Sequence, residues 1–240
     1  MKTVATSKPS SVVSNITSTS VGKKYLMAIS GFLAVLFVVG HMLGNLQLFI
    51  GQDQLNTYAA KLQSLGPLLY LIRAALFVVI IVHIYKGIQL KLENWAARPD
   101  TYQFKDTVQA SLASRTMIWT GLIILAFVIY HLMHFTLLWI NPGFHDLVDP
   151  LGRHDVYSMV IIGFQNVFVS LFYVIAVGLL CWHLSHGISS MFQSAGWQSP
   201  KYRPLLDKIA WTISILLFLG YVAVPISILA GLVRLPEGGM

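Results

Sequence analysis

Six histidines fall inside long apolar stretches of this chain: His41, His83, His131, His134, His183 and His186. An imidazole in lipid is costly unless it has a partner. Six of them on four separate apolar segments point to a shared bound object. Imidazole is an ordinary axial ligand of haem iron. Zinc fits less well, because it takes three or four converging ligands, commonly with a thiolate or an acid. As read from the sequence, no Asp or Glu falls inside any apolar span. The other two histidines, His145 and His154, sit among Asp146, Asp149 and Asp155 and read as loop residues.

Composition fixes what must position the histidines. The 240 residues are 56% hydrophobic and 10% charged, with a mean hydropathy of +0.70. Ordinary soluble domains carry about 25% charged residues, so this is a polytopic membrane protein built as one bundle. The +7 net charge lies in short segments beside apolar spans, where it sets topology rather than binding nucleic acid. The single cysteine, Cys181, excludes an internal disulfide and a Cys-x-x-Cys-His attachment of haem c. Residues 1–20, rich in Ser and Thr, read as a flexible tail and not a signal peptide. Residues 21–240 read as the membrane domain.

Five apolar segments are each long enough to cross a bilayer, which takes about 20 residues. They run from about Tyr25 to Phe49, Leu68 to Leu90, Thr116 to Ile140, Ile161 to Ser185 and Ile209 to Val233. The fold expected is an all-α membrane protein, a five-transmembrane-helix bundle. Pro67 marks the start of the second span. Asn141-Pro142-Gly143 marks the end of the third, and Pro200 and Pro204 precede the fifth, which contains Pro225. Twelve of the sixteen Lys and Arg residues fall on the side that holds the N-terminus. The other side holds Lys61, Arg73, Arg153 and Arg234. The N-terminus is therefore expected in the cytoplasm and the C-terminus outside.

Depth along each helix then sorts the histidines into two layers. The outer layer has His41 with His131 or His134. The inner layer has His83 with His183 or His186. Two layers, each fed by two helices, suit two bis-histidine haems b. Gly40, Gly44, Gly87 and Gly187 lie beside the histidines, where glycine would let backbone approach a flat macrocycle or simply a neighbouring helix.

Several short pieces, taken in order, carry a family likeness. They are Ser30-Gly31, then Gly40-His41-Met42-Leu43-Gly44-Asn45-Leu46, then His83 followed by Asn94-Trp95-Ala96-Ala97-Arg98-Pro99. Thr120-Gly121 leading to His131-Leu132 comes next, and His183-Leu184-Ser185-His186-Gly187-Ile188 running into Met191-Phe192-Gln193 closes the series. With these, the chain resembles the membrane-anchor cytochrome b subunit of succinate dehydrogenase and fumarate reductase, in its single-subunit, five-helix, di-haem bacterial form. The resemblance covers about Ser20 to Leu235.

That resemblance implies two haems b, with His83 and His186 on the inner iron and His41 and His131 on the outer. His134 and His183 become packing partners. It implies a flavoprotein subunit and an iron–sulfur subunit on the cytoplasmic face of a bacterial inner membrane, and a membrane quinone, menaquinone, as electron acceptor. Lys91, Arg98, Lys105, Lys201 and Arg203 would meet those subunits, with Trp95, Tyr102 and Phe104 adding aromatic surface. The chain itself would carry no succinate chemistry. For the quinone or the haem propionates, the residues singled out are Ser30, Asn45, Arg73, Arg115 and Arg153, with Gln47, Tyr58, Gln63 and Trp119 nearby. Some family members carry a glutamate two residues before the fourth-span ligand. Leu184 stands there, so a proton route of that kind is not expected. Two alternatives stay open: a di-haem cytochrome b of another membrane oxidoreductase, and a haem-free anchor or transporter.

Overall fold

The structure, a computed structural model, describes residues 18–97 and 111–236. The basic and aromatic residues Arg98, Tyr102, Phe104 and Lys105, and the tail before Ser18, lie outside the described residues. Within them the chain is all helical apart from one isolated bridge between Val148 and His154. Seven α-helices occur: α1 (Ser20–Leu46), α2 (Gln52–Ser64), α3 (Pro67–Ala96), α4 (Leu112–Phe135), α5 (Val156–Gln165), α6 (Val167–Ser194) and α7 (Arg203–Leu229). Of these, α1, α3, α4, α6 and α7 are long and apolar enough to cross a membrane.

Local sequence sets the helix starts. Thr19 accepts a hydrogen bond from the Gly22 amide, Ser111 from Ser114, and Asn166 from Phe168 and Val169. Pro67 and Pro204 sit in the first turns of α3 and α7, where a missing N–H costs nothing. Pro225 lies inside α7, as a membrane helix tolerates.

Three boundaries differ from the sequence reading. The third span ends at Phe135, not near Asn141, because the chain turns at Leu138, whose φ is +55°. That left-handed backbone is unfavourable for a branched residue, and burial of the Leu138 side chain against the outer core offsets it. The fourth span is preceded by a separate apolar helix, α5, broken from α6 at Asn166. The second and fifth spans extend far enough inward to carry Glu93 and Asp207, so two acidic residues do lie on membrane helices. Glu93 pairs with Lys23 of α1.

α6 is the centre of the bundle, packed against α7, α4 and α1, while α3 packs mainly on α1 and meets α4 only weakly. Burial follows this order. In the most apolar window of each helix, 39% of α7 and 33% of α6 is buried, against 0% of α3. Apolar residues such as Phe168, Tyr70 and Phe77 therefore point outward, which a bilayer satisfies and water does not. Contacts between Lys23 and Glu93, Thr116 and Trp182, and Ser189 and Asp207 make α1/α3, α4/α6 and α6/α7 antiparallel pairs.

Candidate functional site: two facing histidine pairs

The helices bring four histidines together in two pairs. At one level His41 of α1 faces His131 of α4, with ring centres 5.7 Å apart and planes at 78°. At the other, His83 of α3 faces His183 of α6, at 6.4 Å and 69°. All four rings are half-buried, turned toward the space between helices. From Ser30, beside His83, to His41 is about 11 residues of α1, or roughly 16 Å. From Thr120, beside His183, to His131 is the same distance along α4. Two helices thus give one separation for the two levels.

The inner pair is seated twice in the same way. The Ser30 hydroxyl of α1 donates to the Leu26 and Met27 carbonyls, at 2.7 and 3.1 Å, and lies 3.4 Å from His83 Nδ1. The Met27 carbonyl is 3.2 Å from the same nitrogen. On α4, the Thr120 hydroxyl donates to Thr116 and Met117, each at 3.1 Å, and lies 3.0 Å from His183 Nδ1. The glycine after each hydroxyl residue makes room: a Cβ on Gly31 would stand 3.1 Å from His83 Cε1, and one on Gly121 3.5 Å from His183 Cε1. Of the glycines singled out from sequence, Gly40 and Gly187 face open space, Gly87 touches Met27 loosely, and Gly44 admits the Tyr58 ring.

This arrangement differs from the expected ligand set at one position. His186 lies one turn from His183 on α6. Among the described residues it pairs with no aromatic ring. Two helical residues three apart differ by about 60° in direction and roughly 4.5 Å in height. α6 therefore presents His183, and not His186, to His83. The sequence carries a matching signal. Met27-x-x-Ser30-Gly31 with His41 recurs 90 positions later as Met117-x-x-Thr120-Gly121 with His131. His83-x-x-x-Gly87 recurs 100 positions later as His183-x-x-x-Gly187. The second repeat matches His83 with His183.

At the outer level, Tyr173 of α6 ties two histidines together. Its hydroxyl is 3.0 Å from His134 Nδ1 and 3.4 Å from His131 Nδ1. His134 is 1% exposed, stacked on Phe135 at 3.9 Å, so it belongs to the packing behind His131. Asn45 donates to the His41 carbonyl at 2.8 Å, and its amide lies 3.3 Å from His41 Nε2.

The remaining expected site residues scatter. Arg73 is exposed over the Tyr70 ring, and Arg115 is exposed on the first turn of α4. Arg153 is bound up in the outer cap: its guanidinium meets Asp149 at 2.6 Å and Asp53 at 2.9 Å, and donates to Thr57. Asn56 of α2, 0% exposed, joins the same network by donating to Asp149 and Asp155 and accepting from the Tyr157 amide. Burial opposes charge on Asp149, but hydrogen bonds from Arg153, Asn56 and Leu151 outweigh it and hold its carboxyl down at about 2. Asp155 is likewise held below the usual carboxylate range: burial raises it, and bonds from Ser158, Asn56 and Gln52 more than compensate. A half-open cleft of about 350 Å³ lies beside this cap, lined by Ala59, Gln63, Arg153 and His154. A second, apolar cleft of about 200 Å³ lies between the inner ends of α3 and α4, lined by Lys91, Trp95, Trp119 and Leu122.

Two imidazoles on opposite sides of one metal put their ring centres roughly 6 Å apart, given nitrogen–metal bonds of about 2 Å. The separations of 5.7 and 6.4 Å fit that, and both pairs face interhelical space. Among the described residues there is no cluster of three or more His, Cys, Asp or Glu that could hold a metal ion by itself. What the fold offers is two facing pairs of imidazoles.

Fold and hydropathy together define an all-α, multi-span membrane protein with five long apolar helices. Comparison with protein-family models, curated proteins and solved structures finds no match.

Proposed function

We propose that this chain is the membrane anchor and electron-transfer subunit of a succinate:quinone oxidoreductase, with one haem b held at each histidine pair. The observation that carries the reading is the facing of His41 with His131 and of His83 with His183, at two depths of one bundle. The ligand set proposed is those four residues. His186 is replaced by His183 because the latter's ring stands opposite His83. His41 with His131 and His83 with His183 would hold the two groups, which would supply one-electron chemistry tuned by those residues and their surroundings.

The chain's own residues do the positioning. α1 and α4 each supply one outer ligand and the seat for one inner ligand, so both levels are fixed by the same two helices. The apolar side chains around them exclude water, while Tyr173, Ser30 and Thr120 occupy the imidazole Nδ1 atoms. The flavoprotein and iron–sulfur subunits would dock at the cytoplasmic ends of α3, α4 and α7, where Lys91, Lys201 and Lys208 lie. The apolar cleft beside Trp119 is the proposed inner quinone slot, and menaquinone the proposed quinone. The proposed setting is a bacterial inner membrane, with the N-terminus cytoplasmic. Such cofactors carry the redox chemistry, and the protein supplies orientation and electrostatics.

A redox-titrated optical spectrum of the purified protein tests this. Two haem b components with low-spin, bis-histidine character are expected. Haem-free protein would discard the reading and leave a transporter or structural anchor.

A further inference from the structure

We infer that Ser30, backed by the Met27 carbonyl, and Thr120 are matched positioning residues that fix the proton of His83 and His183 on Nδ1 and leave Nε2 free to bind iron. The inference rests on the haem reading above.

Hydrogen-bond accounting sets the tautomer. A carbonyl can only accept. The Met27 carbonyl lies 3.2 Å from His83 Nδ1, so that nitrogen carries the hydrogen. The Ser30 proton is already directed at the Leu26 and Met27 carbonyls, so its oxygen also faces His83 as an acceptor. The same holds on α4. The Thr120 proton has the Thr116 and Met117 carbonyls as acceptors, which leaves its oxygen to accept from His183 Nδ1 at 3.0 Å. Gly31 and Gly121 then let each imidazole lie against the helix that holds its proton.

The outer pair lacks this device. His131 shares one phenol with His134, and His41 has an amide N–H of Asn45 near Nε2. An acceptor on Nδ1–H makes the imidazole a more basic ligand, which favours ferric over ferrous iron. Removing the hydroxyls should therefore raise the potential at the inner pair alone.

The test is a redox titration and the EPR spectrum of the oxidised protein for S30A, T120V and the double variant, with S30T and T120S as conservative controls. The expected result is that one midpoint potential moves positive and its low-spin signal changes, the double variant moves it further, and the other haem stays put. The controls should behave as the unaltered protein. Loss of one haem in T120V that T120S restores also supports the inference. Unaltered protein with two haems and double-variant potentials that do not move would overturn it while leaving the function intact. So would a haem loss that T120S fails to restore. Unaltered protein without haem would overturn both.

Discussion

Replacing His183 and His186 separately decides the inner ligand. His183 has its ring centre 6.4 Å from that of His83, and its Nδ1 is held by Thr120. His186 points about 60° away and sits roughly 4.5 Å further along α6. To replace His183 as ligand, α6 would have to turn by that angle and slide by nearly one turn. Doing so would break the Trp182 bond to Thr116 at 3.2 Å and the Ser189 bond to Asp207. H183A should thus fall from two haems per chain to one, with the inner component missing from the reduced-minus-oxidised spectrum. H83A should give the same spectrum. H186A should keep two haems, with at most a modest potential shift. Pyridine haemochrome content and redox-resolved spectra read all three. If H186A loses a haem and H183A keeps both, the pairing read from the facing rings is wrong and the one drawn from family likeness is right.

Other perturbations follow from the packing. Gly31→Val places a side chain against the His83 ring and should weaken inner haem binding by about 10–100-fold, as loss of ligand support commonly does, whereas Gly40→Val, facing open space, should leave haem titration unchanged. D149A leaves the Asn56 amide and the Leu151 and Arg153 backbone N–H groups without their acceptor and should cost about 1–3 kcal/mol, seen as a lower melting temperature in detergent with both haems retained at low temperature. Because Asp149 and Asp155 have folded pKa values below their unfolded ones, their stabilisation is complete above about pH 4 and fades as pH falls toward about 2. An acid-unfolding profile flat across that window would contradict the network. Gly163→Ala would set a Cβ 2.7 Å from the Phe135 ring. Overpacking of that kind costs about 1–3 kcal/mol and should loosen His134, readable as reduced thermal stability.

Span number and the two levels of histidine were legible because both depend only on position along the chain. Hydropathy gives length, and 1.5 Å per residue gives depth. Which of two histidines one turn apart faces inward depends on angle, and angle is read from an apolar stripe. α6 has no such stripe: it is apolar nearly all round, so His183 and His186 look alike. Hydropathy also hid the break at Asn166 and the turn at Leu138, since the residues on both sides are apolar. The outer cap was obscured for the opposite reason. α2 is polar enough to pass for a loop, and Asn56, its buried anchor, gains meaning only once Asp149 and Asp155 arrive from about 100 residues away. Arg153 was readable as a cation near the outer level, but its carboxylate partners were not.

The angular information was in the sequence in another form. A motif repeated on α1 and α4, and a second on α3 and α6, tie the four helices into two equivalent antiparallel pairs. Each pair contributes one residue to each level: His41 and His83 from one, His131 and His183 from the other. A pair of helices alone presents two lone imidazoles with no partner at either level, which lipid penalises. Bringing the two pairs together gives both levels a facing ring at once. The repeat therefore predicts that the levels assemble together, whereas α7, α2 and α5 have no counterpart in it and are free to differ. The structure departs from the repeat where α5 touches it: Gly163 stands against Phe135 and His134 behind His131, so the extra packing there comes from an element the repeat does not contain.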